Sequence, residues 1–590
     1  MKRFLCTSSL LLSAVLVLTF TAQVFAASTG LKPTAQLGTR HGDGAGGDVV
    51  LRDLPDMSAA DRAVVRNIPF HRTPGMSEAQ YQWAKSAASH TSGMTRAQDA
   101  ANFRVPPASH VGDVASGTPG AFSNFLGQSE GCGAGAGWIP SDMGLAVSSL
   151  YVVQTVNECI QVFNKAGAAL TVSKDLCGIF GLPVGAGQIG CFDPRALYDA
   201  QANKFLVIAS YYDFAGNGFI LTATAGNPTG LWHHHAIAFG PALADYPTLG
   251  QTAFLNNKNN SVFTICTNLF FNSGAFTDEC IFPSKKGVYG TLGAFPAFSG
   301  FALCGGSGCI TQNSMQPVDS YELSGNPRAQ ISVNTLNDNG GTGLCGASGA
   351  GESGLILWAF SGMTASPPQP AAAGWFTGCG STSVYSFPGS ADNAGFCFAC
   401  IETLDNRISA KTFYSQGKII PSIDTWNGAT SAVLGWDVEP FLDVNGLGCT
   451  GGVLCPAFSA VAIEKEWCYD CGGGNAVEAY FGAQAPDPEN DWTMYATFSS
   501  RSDFFNVSPS MFYDTTRVTN VGTFIDSGFY SCTANNGYSN FRWGDYAAAA
   551  PDDPGTTPKN VAATWGSGMY TKGGNLWGTC ITGVHPQDGP

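Results

Sequence analysis

The chain has 590 residues, among them 74 Gly, 32 Pro, 39 Phe and 12 Trp, and only 12% of it is charged. This composition excludes a wholly disordered chain or a coiled coil and implies a large apolar core with many turns. Residues 126–590 hold 17 Lys/Arg against 35 Asp/Glu within a formal net charge of −15, and a surface this acidic repels phosphate backbones, so no nucleic-acid partner is expected.

In chain order, Lys2 and Arg3 precede an apolar stretch from Leu10 to Phe20, and Val24-Phe25-Ala26 places small residues at the −3 and −1 positions of a cleavage site. Residues 1–26 therefore read as a secretory signal peptide. The stretch is too short for a spanning helix of about 20 residues, and no later one is longer, so no membrane span is expected. With Cys6 lost in the leader, 18 of the 19 cysteines remain. In an oxidising compartment these read as disulfides whose pairing spacing does not give. Cys397/Cys400 and Cys468/Cys471 form two C-x-x-C pairs. Their wide separation favours disulfides over a shared zinc, and Phe396–Ile401 reads as strand interior rather than a redox helix start.

Residues 27–125 read as an extended, weakly ordered N-terminal segment, with helical patterning only near Asp61–Val65 and Ser77–Ala88. A prosegment or a strap packed on the main domain is the alternative. A Gly- and Ser-dense run at Gly117–Gly137 marks the boundary to a domain spanning 126–590. From about residue 140, short β-branched and aromatic runs alternate with Gly, Asn, Asp and Pro clusters, as in Leu150–Val156, Lys204–Tyr212 and Gly218–Ala225. Tight turns are expected at Asn164–Gly167, Asp199–Asn203 and Asp405-Asn406. The runs group near 143–166, 192–240, 246–290, 314–363, 394–438, 455–500 and 528–583. Such spacing is that of propeller blades, giving an all-β, six- or seven-bladed β-propeller with an extended N-terminal segment.

Three passages carry a resemblance. They are Asp193-Pro194-Arg195-Ala196-Leu197-Tyr198-Asp199 with Asn227-Pro228-Thr229-Gly230-Leu231-Trp232, then Ala244-Asp245-Tyr246-Pro247-Thr248-Leu249-Gly250, and Arg542-Trp543-Gly544-Asp545-Tyr546 with Asp553-Pro554, Trp565 and Trp577-Gly578-Thr579. Together they resemble secreted bacterial proteins with sialidase-like, BNR-type β-propellers, mostly without an assigned activity. The resemblance implies a secreted propeller and is silent about substrate. Against sialidases proper, the S-x-D-x-G-x-x-W box has no intact copy, the nearest being Ser390–Gly395. The arginine triad that would grip a carboxylate has to come from Arg195, Arg328, Arg407, Arg501, Arg517 and Arg542.

The candidate site residues are Asp193, Arg195, Asp245, Arg542 and Asp545. Each has a structural reading beside the functional one: Arg542 with Asp545 as a buried ion pair, Asp193 and Asp245 as carboxylates capping backbone amides at strand starts. Asp405, Asp437 and Glu439 extend the carboxylates available for glycosidic hydrolysis, which needs a converging pair. His233-His234-His235 reads as packing, because only His233 and His235 share a strand face and no carboxylate or third imidazole is near in sequence. No cofactor and no metal is expected. Whether the protein is an enzyme stays open: the main reading is a secreted binding or surface-interaction protein with a glycan or surface-protein partner. The alternatives are a glycoside hydrolase with its site in the central funnel, and a structural envelope component.

Overall fold

β-branched and aromatic runs bounded by turn residues form strands because those side chains suit a pleated, buried surface. The computed structural model describes residues 32–55, 120–133, 138–183, 190–252, 261–305, 308–320, 330–336, 354–363, 370–376, 391–393, 397–415, 418–426, 431–443, 457–468, 477–487, 492–500, 508–514, 544–553, 563–573 and 576–585, with single positions at 66–67, 79 and 85. The expected signal peptide, and the expected helices apart from helical positions 79 and 85, lie outside them. The described chain is nearly all β and propeller-like, with Lys285–Val288 a short α-helix.

Antiparallel meanders follow one another. The first comprises Gly144–Val147, Tyr151–Val156, Cys159–Asn164 and Lys174–Asp175. The second runs through Cys191–Asp199, Lys204–Tyr212, Gly218–Ala225 and Leu231–Gly240, the third through Ala242–Gln251, Phe263–Phe271, Phe276–Ile281 and Leu292–Gly305. Gln316–Asp319, Gln330–Thr335, Leu355–Ser361 and Ala371–Phe376 make the fourth. The fifth begins at Thr412–Ser415 and ends with the long pair Ser431–Asp443 and Ala457–Cys468. Val477–Pro486, Trp492–Ser500 and Ser508–Asp514 form the sixth. In the seventh, Ala548–Pro551, Thr564–Gly573 and Leu576–His585 take their outermost strand, Gly120–Ser129, from the N-terminal side of the chain.

The first strand of each meander lies against the first strand of the next, and that of the seventh against that of the first. Parallel bridges Gln251↔Asp319 and Val318↔Thr412 mark two of these junctions. Each sheet is thus covered on both faces, which explains why the leading strands are buried along their length rather than at alternate residues. The apolar clusters sit between neighbouring sheets, around Trp232, Trp358, Trp492, Trp565 and Trp577, all fully buried.

Part of the segment expected to be weakly ordered is a strap. Lys32–Gly44 pairs along Leu292–Gly305, and Gly47–Val50 pairs with Leu231–His234. Farther on, the buried Lys85 reaches Glu402 at 2.8 Å and Thr403 Oγ1 at 2.8 Å. Low local periodicity hid these strands, since their hydrogen bonds are made more than 180 residues away. The Asp405-Asn406 turn is a correction: those residues lead into Thr412–Ser415 and do not join two paired strands. Asn164 does cap its turn, its Oδ1 accepting the N–H groups of Ala166 and Ala168.

Described disulfides join Cys132–Cys159, Cys177–Cys191, Cys266–Cys280 and Cys304–Cys309. Cys132–Cys159 ties the chain just after the N-terminal strand of the seventh sheet to the first sheet, closing a separation of 27 residues. Its removal as C132A/C159A is expected to cost about 3 kcal/mol. Denaturant unfolding at the same pH measures this, and an unchanged midpoint would contradict it. No helix among the described residues is long and apolar enough to cross a membrane.

Candidate functional site at the axis

A residue of positive φ lies within or ahead of each leading strand: Asp142 (36°), Asp193 (50°), Tyr246 (51°), Ser314 (52°), Leu404 (56°) and Phe481 (54°), with Gly544 ahead of the seventh. In the second, third and sixth sheets this residue sits in a bulge where register skips, between Phe192/Arg195, Asp245/Thr248 and Tyr480/Ala483. A bulge re-aims the following side chains. Here it turns them toward the axis.

Left-handed backbone is strained for a side-chain-bearing residue, so neighbouring sheets hold it. Asn157 Oδ1 accepts the Asp193 N–H at 2.8 Å, and Asp193 Oδ2 accepts the Tyr246 N–H at 3.0 Å. Asn268 Oδ1 accepts the Ser314 N–H and Asp278 Oδ2 the Met315 N–H. Asp424 accepts the Phe481 N–H with both oxygens at 2.8 and 2.9 Å, and Asp142 Oδ1 accepts the Asp545 N–H at 2.6 Å. A carboxylate or amide in one sheet thus staples the strand start of another.

Inside this collar lies a cluster of cations and phenols. Arg195 donates from Nε to Pro247 O at 3.0 Å and from Nη1 to Ser409 O at 3.0 Å. Its guanidinium lies 3.2 Å from the centre of the Tyr546 ring and 5.2 Å from that of Tyr246. Arg407 approaches the Tyr246 ring at 4.7 Å and is held in a two-bond pair with Asp405 at 2.8 and 2.7 Å. Tyr546 donates its hydroxyl to Pro194 O at 3.1 Å. Arg195 Nη2, Tyr246 Oη and Ser409 Oγ are buried and have no hydrogen-bond partner among the described residues.

The electrostatics follow from burial. Desolvation pushes the Tyr246 phenol above its ordinary value although Arg195 and Arg407 pull it down, so it stays a neutral donor. Burial pulls Arg407 down, but the Asp405 carboxylate outweighs it and holds the guanidinium above the usual arginine value. Toward the far ends of the leading strands, Lys411 contacts Ala196 O at 3.2 Å and Asp319 at 3.3 Å, and Lys285 contacts Asp199 at 3.1 Å. Desolvation lowers both lysines despite these carboxylates. Between the two ends, one small cavity is lined by Gly144, Arg195, Gln316, Lys411 and Ala548, and another by Tyr198, Asp319, Lys411 and Asp552. Each has room for about one water molecule.

Of the residues singled out from sequence, Arg195, Asp193, Asp245 and Asp545 all lie buried at the strand starts. Asp193 caps a backbone amide, and Asp545 receives its own cap from Asp142. Arg542 lies outside the described residues. The sequence reading gave no role to Tyr246, Ser409 or Lys411 and left Arg407 among six candidates. The signal that could have found Tyr246 is positional, since it occupies the same strand-start position as Asp193. Among the described residues, no group of three or more His, Cys, Asp or Glu is arranged to hold a metal.

No family model matches the sequence, and no curated protein matches it. Solved structures with loose similarity are glycoside hydrolases. An exo-β-1,3-galactanase from Phanerochaete chrysosporium is 9% identical, with 79% of this chain and 97% of that one covered and a TM-score of 0.26. An exo-β-1,3-galactanase from Clostridium thermocellum is 8% identical over 79% and 97%, with a TM-score of 0.25. A GH43_1 enzyme from Xanthomonas citri is 10% identical over 69% and 94%, with a TM-score of 0.23. At such values the likeness carries no argument about this chain, and none of the three is described as a sialidase.

Proposed function

We propose that the protein is a secreted, seven-bladed β-propeller that works as a binding module, taking an oxygen-bearing group of a glycan or surface protein at its axis. The cyclic succession of meanders supports the blade count, and the disulfides support secretion, since such bonds persist in oxidising compartments. The observation that carries the binding reading is a set of two buried donors, Arg195 Nη2 and the Tyr246 hydroxyl, neither of which has a hydrogen-bond partner among the described residues. A buried guanidinium donor left unmade is costly, and a carboxylate or hydroxyl oxygen satisfies it.

Two arginines and several carboxylates gather here, which is the pattern a hydrolase also needs. Binding is favoured over hydrolysis because Asp405 is clamped by Arg407 and Asp193 is committed to the Tyr246 amide. A general acid and base must instead be open to proton exchange with substrate. The test is an array of neutral and acidic glycans probed with residues 27–590 and with R195K, which keeps the charge but loses the planar fork. At least tenfold weaker capture by R195K, read at a temperature where circular dichroism shows the variant folded, is expected; equal capture would remove Arg195 from the site.

A further inference from the structure

A second polar cluster lies away from the axis, where the strap crosses the second and third sheets. His233 and His235 point from the same face of Leu231–Gly240, with their Nε2 atoms 3.1 Å apart. The carbonyl oxygen of Gly290, in the turn between Lys285–Val288 and Leu292–Gly305, lies 3.0 Å from His233 Nε2 and 2.7 Å from His235 Nε2. On the other side of each ring stands a carboxylate from the strap: Asp48 Oδ1 at 2.7 Å from His233 Nδ1, and Asp43 Oδ1 at 2.6 Å from His235 Nδ1. No carboxylate is near in sequence, yet the fold brings two within hydrogen-bond reach. Both carboxylates come from a segment far away in sequence.

Hydrogen-bond chemistry makes this arrangement informative. An ionised carboxylate only accepts, so each Nδ1 carries the proton and each Nε2 of a neutral imidazole presents a lone pair. Two Nε2 lone pairs and a carbonyl oxygen then face one point from 2.7–3.1 Å of each other. Three acceptors without a donor repel, and two imidazolium ions this close repel as well. The conflict is relieved either by one proton, with His233 Nε2 donating to Gly290 O and His235 Nε2, or by a metal ion held by all three atoms. Ligand atoms at about 2.1 Å from a tetrahedral ion are about 3.4 Å apart, so the triangle, with edges of 3.1, 3.0 and 2.7 Å, has to open most at the His235–Gly290 edge, by under about 1 Å. A carboxylate behind each imidazole is the outer-shell pattern that fixes tautomer and ring orientation at metal sites.

The strap is shaped for this contact. Gly46 has φ +66°, and a Cβ there would meet the His235 ring at 2.7 Å and the His234 carbonyl at 2.2 Å, so only glycine lets the loop bring Asp43 and Asp48 into place. Asp43 Oδ2 also accepts the Ala236 N–H at 2.9 Å, which fixes the carboxylate. His235 is fully buried while the His233 side chain is 24% exposed, leaving a side open to a water ligand.

We propose that His233 Nε2, His235 Nε2 and the Gly290 carbonyl bind one divalent transition-metal ion of the zinc class, with Asp43 and Asp48 as outer-shell partners. Imidazole suits such ions, whereas calcium and magnesium prefer all-oxygen sites. The ion joins the second and third sheets and, through the two carboxylates, pins the strap. This site is independent of the axial binding reading.

The test uses the mature chain, residues 27–590, stripped with a chelator and titrated with zinc chloride at pH 7.5 in a calorimeter. One equivalent should bind and raise the thermal midpoint, with much weaker binding at pH 5.5, where protons compete for the imidazoles. H233Q and H235Q should each lose at least tenfold in zinc affinity, D43N about tenfold through the outer shell, and H234Q, whose ring leaves the other face, should behave as wild type. Should H235Q misfold, the partly exposed His233 and the strap residue Asp43 still decide the matter. Absence of stoichiometric uptake, or uptake unchanged in H233Q and D43N, overturns the proposal and leaves an imidazolium donating to Gly290.

Discussion

Replacing Asp405 with alanine is expected to destabilise the protein by about 3–5 kcal/mol, because it strands the Arg407 guanidinium without its bidentate partner. Both side chains are 5% exposed and joined by bonds of 2.8 and 2.7 Å. Little water can reach the orphaned charge. The double replacement D405L/R407M removes both charges and should recover most of that loss, since apolar isosteres of a buried pair are often neutral or stabilising. Urea unfolding of wild type, the single variant and the double variant measures the difference. A double variant as unstable as D405A would mean that the Arg407 contact with the Tyr246 ring, rather than the ion pair, holds this part of the axis.

Stability should also fall as pH rises from about 4 to about 7, through Asp424. Burial pushes this carboxyl up to about 7, against the pull of the Phe481 and Gly482 amides and of the Lys85 charge, with Asp405 adding a smaller push upward. In the unfolded chain the same group ionises near 4. Between the two values the native state keeps a proton that the unfolded state has lost, so folding is opposed increasingly up to about pH 7 and constantly above it. The expected cost by pH 8 is up to about 4 kcal/mol for this group. Asp278 and Asp319, also raised by burial, act in the same direction. D424N keeps an acceptor for the Phe481 N–H and carries no charge. Its stability relative to wild type should therefore increase from pH 4.5 to pH 8, as read by denaturant midpoints. A difference that stays constant over that range would show that Asp424 ionises normally in the folded protein.

The strand runs were legible where pairing is local. Those near 143–166, 192–240, 246–290 and 314–363 fall within the first four meanders because short turns such as Asp199–Lys204 join sequential partners. Beyond residue 390 the grouping slips. Cys397–Ile401 belongs to a small hairpin with Ala391–Asn393, and Ala457–Cys468, read as opening the sixth cluster, closes the fifth through ten register pairs with Ser431–Asp443. Period-2 patterning identifies a strand but not its partner. The same limit hid the strap, and with it the carboxylates behind His233 and His235. At the axis, Arg195 stood out by residue type, whereas Tyr246 and Arg407 gained meaning only when separate sheets brought them together, Tyr246 through a bulge and Arg407 against its ring at 4.7 Å. The C-x-x-C side chains lie outside what the structure describes.

A direct test presents one captured acidic glycan to residues 27–590 and follows, in the same sample, its binding and the release of reducing sugar, with R195M alongside. Saturable binding with no sugar released is expected, and that binding is lost in R195M. Sugar released in proportion to protein, or binding that survives in a folded R195M, would contradict an axial binding module built on Arg195.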